Sequence, residues 1–103
     1  MTGKRDKMKN PIEGINKNFE SRVRLGVMSV LSVNSWVDFN SLKDLLNVTD
    51  GNLASHIKSL ENHEYIEIKK QFVAKKPRTS YRITQKGKTA FRDHLAALES
   101  LIK

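Results

Sequence analysis

Thr49-Asp50-Gly51-Asn52-Leu53-Ala54-Ser55-His56-Ile57-Lys58-Ser59-Leu60-Glu61-Asn62-His63 is the stretch on which the fold turns. Leu53, Ile57 and Leu60 recur at i, i+4 and i+7, a spacing that lines them up along one helix face. Asn52, Ser55, His56 and Ser59 repeat that spacing on the opposite side. The pattern predicts a helix over 49–63, capped by Thr49, with one stripe in a core and the other left open. The open stripe carries amide, hydroxyl and imidazole groups and no acid. Such a set suits base edges in a DNA major groove, where donors and acceptors must be matched.

Immediately upstream, Leu42, Leu45 and Leu46 supply the buried face of a shorter helix. Asn40 or Ser41 is its expected cap, and Ser41 with Asp44 fits a capping box. It should stop at Asn47, a residue that tolerates the left-handed conformation, with Val48 buried in the turn. Two short helices joined this way form a helix-turn-helix. Further upstream, Phe19, Val23, Val27, Val30 and Leu31, joined by Leu25 and Met28, predict a helix from Phe19 to about Val33 that is apolar over much of its circumference. So wide a surface exceeds one small core. The excess should meet a second subunit or, at Gly26, a close helix crossing within the chain. Residues 36–39 read as a short extended piece.

Downstream, residues 65–69 and 81–84 read as paired strands with Ile66, Ile68, Tyr81 and Ile83 facing inward. Residues 71–80 between them make a long basic tip. From Tyr65 to Lys88 there are eight basic residues against Glu67 alone, a net of +7. Most of the chain's charge therefore sits beside the proposed reading helix, where phosphates flank a groove. An edge strand guarded by lysines is the plainer reading, but Pro77 and Arg78 at an exposed tip favour DNA contact. Thr84 caps a last helix over about 85–103. Phe91, Leu95, Leu98 and Ile102 form one stripe of it and Ala90, His94, Ala97 and Leu101 an adjacent one, enough for a core and a partner.

Composition narrows the classes. The chain has 103 residues and a formal charge of +8, which suits one modest domain over 11–103 with a polyanionic partner. The basic residues 1–10 lack periodicity and are expected to form a disordered tail. With no cysteine, disulfides, thiolate metal sites and a cysteine nucleophile are excluded. No apolar run suits a signal peptide or membrane span, so a soluble cytoplasmic protein is expected. An enzyme is not expected. Ser55 and His56 are neighbours and point about 100 degrees apart on a helix, so they cannot act as nucleophile and base. His56, His63 and His94 lack paired-ligand spacing, and neither a metal nor a cofactor is expected. His94 alone is a candidate pH or ligand switch. The five glycines are scattered, so no phosphate loop is present.

Taken together, Arg24-Leu25, Val27-Met28, Leu31, Asp38-Phe39, Leu42, residues 49–53, His56, Leu60-Glu61, Tyr65, Pro77-Arg78-Thr79, Ile83-Thr84 and Gly87 resemble the winged-helix DNA-binding domain of MarR and ArsR regulators, in a small single-domain branch. The resemblance covers about residues 19–92. It departs at Glu64, where the branch usually has glycine, so Glu64 either costs about 1 kcal/mol in a left-handed conformation or ends the helix differently. It implies a mainly helical α+β fold, a winged helix-turn-helix with terminal dimerisation helices and a wing at about 71–80.

The expected function is a homodimeric, sequence-specific regulator of double-stranded DNA, in a prokaryotic nucleoid, whose effector the sequence does not name. Asn52, Ser55, His56 and Ser59 would address bases. Lys43, Thr49, Lys58, Lys75, Lys76, Arg78, Thr79 and Arg82 would address backbone or minor groove. Phe19, Val23, Val27, His94, Ala97, Leu98, Leu101 and Ile102 would build the dimer. A winged-helix protein-interaction module is the alternative; a membrane-surface binder lacks the amphipathic basic helix it needs.

Overall fold

In a computed structural model, which describes residues 10–102, a 3₁₀ turn at Lys17–Phe19 leads into helix α1 (Arg22–Ser32) and strand β1 (Val37–Asp38). Helices α2 (Phe39–Leu46) and α3 (Asp50–Asn62) follow, then strands β2 (Ile66–Val73) and β3 (Lys76–Ile83), and helix α4 (Gln85–Ser100). The expected tail at 1–10 lies outside the described residues apart from Asn10. The three strands form an antiparallel sheet in the order β1-β3-β2, so the fold is α+β, mainly α, a winged helix-turn-helix.

Each helix start is a capping event. Ser21 accepts the Arg24 N–H at 3.3 Å, so α1 begins at Arg22 and Phe19 belongs to the turn before it. For α2 the cap is Asp38, which corrects the expectation of Asn40 or Ser41. Its carboxylate accepts the Ser41 N–H at 3.1 Å and the Ser41 hydroxyl at 2.7 Å, so Ser41 serves as donor to the cap and forms no capping box with Asp44. Asn47 ends α2 at φ 54°, in the left-handed region as its type predicted. Thr49 caps α3 by accepting the Asn52 N–H at 3.2 Å, and Thr84 caps α4 by accepting the Gly87 N–H at 2.9 Å. Glu64 sits at φ 61°, and the Tyr65 N–H reaches back to the Leu60 carbonyl at 3.0 Å. Of the two expectations for Glu64, the strained left-handed end is the one adopted.

The core is drawn from every layer. Phe19, Val27, Met28, Leu31, Leu42, Leu53 and Leu60 are fully excluded from solvent. The broad apolar surface of α1 is used inside the chain, against α2, α3, β3 and α4. At Gly26 a Cβ would lie 2.8 Å from Leu46 Cδ2, so this glycine is where α1 and α2 cross closely. A tighter constraint falls on Gly87, whose Cβ would lie 2.0 Å from the Tyr65 carbonyl oxygen. That carbonyl accepts the Thr84 N–H, which sets α4 directly against the end of α3. Phe19 packs its ring on Tyr65, Phe91 and His94 with centroids 5.1, 5.7 and 5.3 Å away.

This packing corrects four dimer expectations. Phe19, Val27 and His94 are buried in the chain's own core with at most 2% exposure and Val23 keeps only 8%, so they offer little or no surface to a partner. Ile68, expected inward, is 36% exposed although its cross-strand partner Tyr81 is buried, because β2 is an edge strand of the sheet and β3 its centre. The basic tip is no long loop either. Both strands continue until Val73 pairs with Lys76, and only Ala74 and Lys75 turn, at φ 53° and 66°. Two successive left-handed residues make the tight hairpin turn whose twist matches that of its strands.

Candidate nucleic-acid interface

Helix α3 presents its polar side chains unequally. Asn52, Ser55 and Lys58 are exposed, whereas His56 and Ser59 are half-buried on its flank. The open face is thus rotated from the expected one, since Gly51, Ser55, Lys58 and Asn62 lie most nearly opposite Leu53, Ile57 and Leu60. Gly51, with nothing within 4 Å of its Cβ position, leaves the start of that face open. His56 is held from behind: its Nδ1 accepts the Arg24 Nε–H from α1 at 2.9 Å. Burial, and then the Arg24 charge, keep its pKa below the ordinary histidine value, so the ring is neutral.

Beside α3 stands the wing. Lys75, Lys76 and Arg78 are exposed at its tip and Thr79 is half-buried. No acidic residue occurs from Ile68 to Arg92, so beyond the Glu67–Arg82 pair at its base the hairpin carries only positive charge. Phe72 is 77% exposed and pairs with Pro77 across the strands. Sequence reading passes over Phe72, for which the usable signal is a lone aromatic inside the stretch read as a basic tip. In a two-residue hairpin this pair is not hydrogen-bonded, so proline costs the β2–β3 ladder nothing there.

Two of the expected phosphate contacts are already engaged. Lys43 of α2 pairs with Asp50 in the first turn of α3 at 2.8 Å, a contact that raises its pKa and ties the two helices together. Arg82 pairs with Glu67, its partner across the strands, and stacks over Trp36 at 4.5 Å. Lys69 lies over the same ring at 4.4 Å. These contacts make Trp36 a clasp for the base of the hairpin. Thr49 is also occupied, as the cap of α3.

His94, expected at a dimer surface, is 2% exposed and accepts the Asn16 N–H at Nδ1 at 3.0 Å. Burial lowers its pKa, with Glu20 opposing. Beyond His94 the apolar side chains of α4 and of the two residues after it emerge: Leu95 is 46% exposed, Leu101 43% and Ile102 86%, with Ala97 and Leu98 half-buried. Among the described residues no group of three histidines, cysteines or carboxylates could hold a metal, and no helix is long and apolar enough to cross a membrane.

Comparison with known proteins bears on this arrangement. Residues 23–102 match the model of a winged helix DNA-binding domain. An uncharacterized protein of Methanocaldococcus jannaschii is 38% identical over 87 residues, which are 84% of this chain and 95% of that relative. The structure of a transcriptional regulator homologue from Pyrococcus horikoshii superposes with a TM-score of 0.78 at 30% identity, covering 99% of this chain and 95% of that one. An S. aureus MepR–DNA complex shares the fold, with a TM-score of 0.70 at 13% identity, over 100% of this chain and 79% of its own.

Proposed function

The chain belongs to the winged helix DNA-binding domain family, with the fold of MarR-type regulators, and from that premise we propose that it is a homodimeric transcriptional regulator reading a specific duplex sequence. The observation that carries this reading is the juxtaposition of a hairpin that is basic and acid-free from Ile68 onward with a helix whose exposed face offers the neutral donors and acceptors of Asn52, Ser55 and Asn62 beside Lys58. Helix α3 enters the major groove, where Asn52, Ser55, His56 and Ser59 address base edges. Lys58, Lys75, Lys76, Arg78, Thr79 and Thr49 address the backbone, Thr49 by donating the hydroxyl hydrogen that its role as a capping acceptor does not use, with the wing tip at the minor groove. Lys43 and Arg82 drop out of that set because each already has a carboxylate partner.

The dimer surface shrinks to the end of α4 and the residues that follow it, where Ala97, Leu98, Leu101 and Ile102 join Leu95. Two-fold symmetry then demands two half-sites about one helical turn apart or a small multiple of it. Selection of bound sequences from a random duplex pool tests the whole reading. A palindromic motif is the expected result, together with a dimer mass by light scattering. Absence of any enrichment overturns sequence reading, and a monomer on the selected duplex overturns the dimer.

A further inference from the structure

His56 differs from the other side chains of the reading face because one of its two ring nitrogens is already assigned. The Arg24 guanidinium has only donors and does not deprotonate. At 2.9 Å from Arg24 Nε, His56 Nδ1 must therefore be the acceptor. A neutral imidazole with Nδ1 unprotonated carries its hydrogen on Nε2. The two nitrogens lie on opposite edges of the ring, so Nε2 points away from Arg24. It makes no hydrogen bond within the described chain, where no buried side-chain nitrogen or oxygen lacks a partner, so Nε2 is not itself buried. Arg24 itself is placed by its helix: Ser21 caps its N–H, and its Nη1 donates to the Asn18 carbonyl at 3.5 Å.

Resting on the DNA-reading function above, we propose that Arg24 is a positioning residue for specificity: it holds His56 as an obligate Nε2–H donor, which selects a base edge presenting an acceptor. Guanine O6 and N7, adenine N7 and thymine O4 satisfy that donor in the major groove; the amino groups of cytosine and adenine do not. Asn52, by contrast, carries donor and acceptor on one amide and can match either kind of edge. Burial of His56, which disfavours the imidazolium, keeps the ring from becoming a donor at both nitrogens. Arg24 thus acts on sequence choice without touching DNA.

Two measurements on the full chain test this. Two-bond proton–nitrogen correlation spectra of the imidazole rings should show His56 with Nδ1 unprotonated and Nε2 protonated, and Arg24→Met should shift it toward a mixture of tautomers. The opposite tautomer in the wild type overturns the inference whatever the DNA result. Random-pool selections with wild type, His56→Ala and Arg24→Met form the second arm. One position per half-site should favour guanine, adenine or thymine over cytosine by about tenfold in the wild type. That preference should vanish in His56→Ala and weaken in Arg24→Met, with no added effect of Arg24→Met on the His56→Ala background. Enrichment of cytosine at that position, or a motif that His56→Ala leaves intact, overturns it even if Arg24→Met fails to fold. No enrichment by the wild type overturns the DNA reading itself, and the spectra tell the two failures apart.

Discussion

Helix α3 and the wing lie side by side and are built on opposite terms. The helix shares its burial with the whole domain: Leu53, Ile57 and Leu60 are in the core, Thr49 caps its start, Asp50 ties it to α2 and His56 ties it to α1. The distal hairpin has no such anchorage, with residues 70–72 and 74–78 all exposed. Selecting a sequence needs groups held to within a fraction of an ångström, whereas gathering phosphates needs charge and reach. The contrast assigns specificity to the rigid element and binding strength to the protruding one.

Four experiments can break or sharpen that contrast. The largest effect is on folding. Leu53→Ala should cost about 2–5 kcal/mol, since it empties a fully buried site, while Phe72→Ala at the wing should stay within about 0.5 kcal/mol. Urea unfolding of both checks this, and equal losses would mean that the wing is part of the core. Next comes discrimination. Asn52→Ala should narrow the gap between selected and random duplex by about 1–3 kcal/mol and leave the salt dependence alone. Lys75→Ala and Lys76→Ala should do the reverse, weakening binding to all sequences and flattening the salt slope by about 0.9 per lost phosphate contact. Lys43→Ala and Arg82→Ala should leave that slope unchanged, because their cations serve Asp50 and Glu67; a flattened slope in either would return it to the interface.

Backbone strain supplies a smaller effect. Glu64→Gly should stabilise the fold by about 1 kcal/mol by relieving the left-handed conformation at the end of α3. A lower unfolding midpoint in denaturant would show that the Lys86 contact and chain entropy outweigh the strain.

The last effect is a pH dependence whose direction is set by burial. His94 and His56 both have folded pKa values below the ordinary 6.5, so the unfolded chain takes up protons first as pH falls. The stability they provide is complete above 6.5 and is lost as pH drops through the folded values. Thermal unfolding across that window should therefore show a falling midpoint toward acid, less so in His94→Asn. A midpoint that rises toward acid would contradict the burial of His94.

Local signals were legible residue by residue. The stripe of Leu53, Ile57 and Leu60, the caps Thr49 and Thr84, the left-handed Asn47 and the paired strands all follow from spacings of a few residues. The α2 cap was misread because Asp38, Asn40 and Ser41 are all competent caps, and only the position of β1 decides which one faces the helix start. The wing turn was misread because Ala74 and Lys75 are poor left-handed residues, and strand pairing overrides that preference. His94 sits on an apolar stripe in sequence, yet nothing there shows that Asn16 will offer its N–H to the ring.

The amino-acid sequence by itself determined the element order, the two-faced reading helix and the basic wing, because periodicity, capping and charge are properties of neighbours along the chain. Only the tertiary structure decided which of those residues are available. Arg24 meets His56 across 32 positions, Glu67 meets Arg82 across 15, and Phe19 meets Tyr65 and Phe91 inside a core that excludes it from any partner. Such pairings depend on how the helices cross and how the strands register, and those are set by packing the whole core at once.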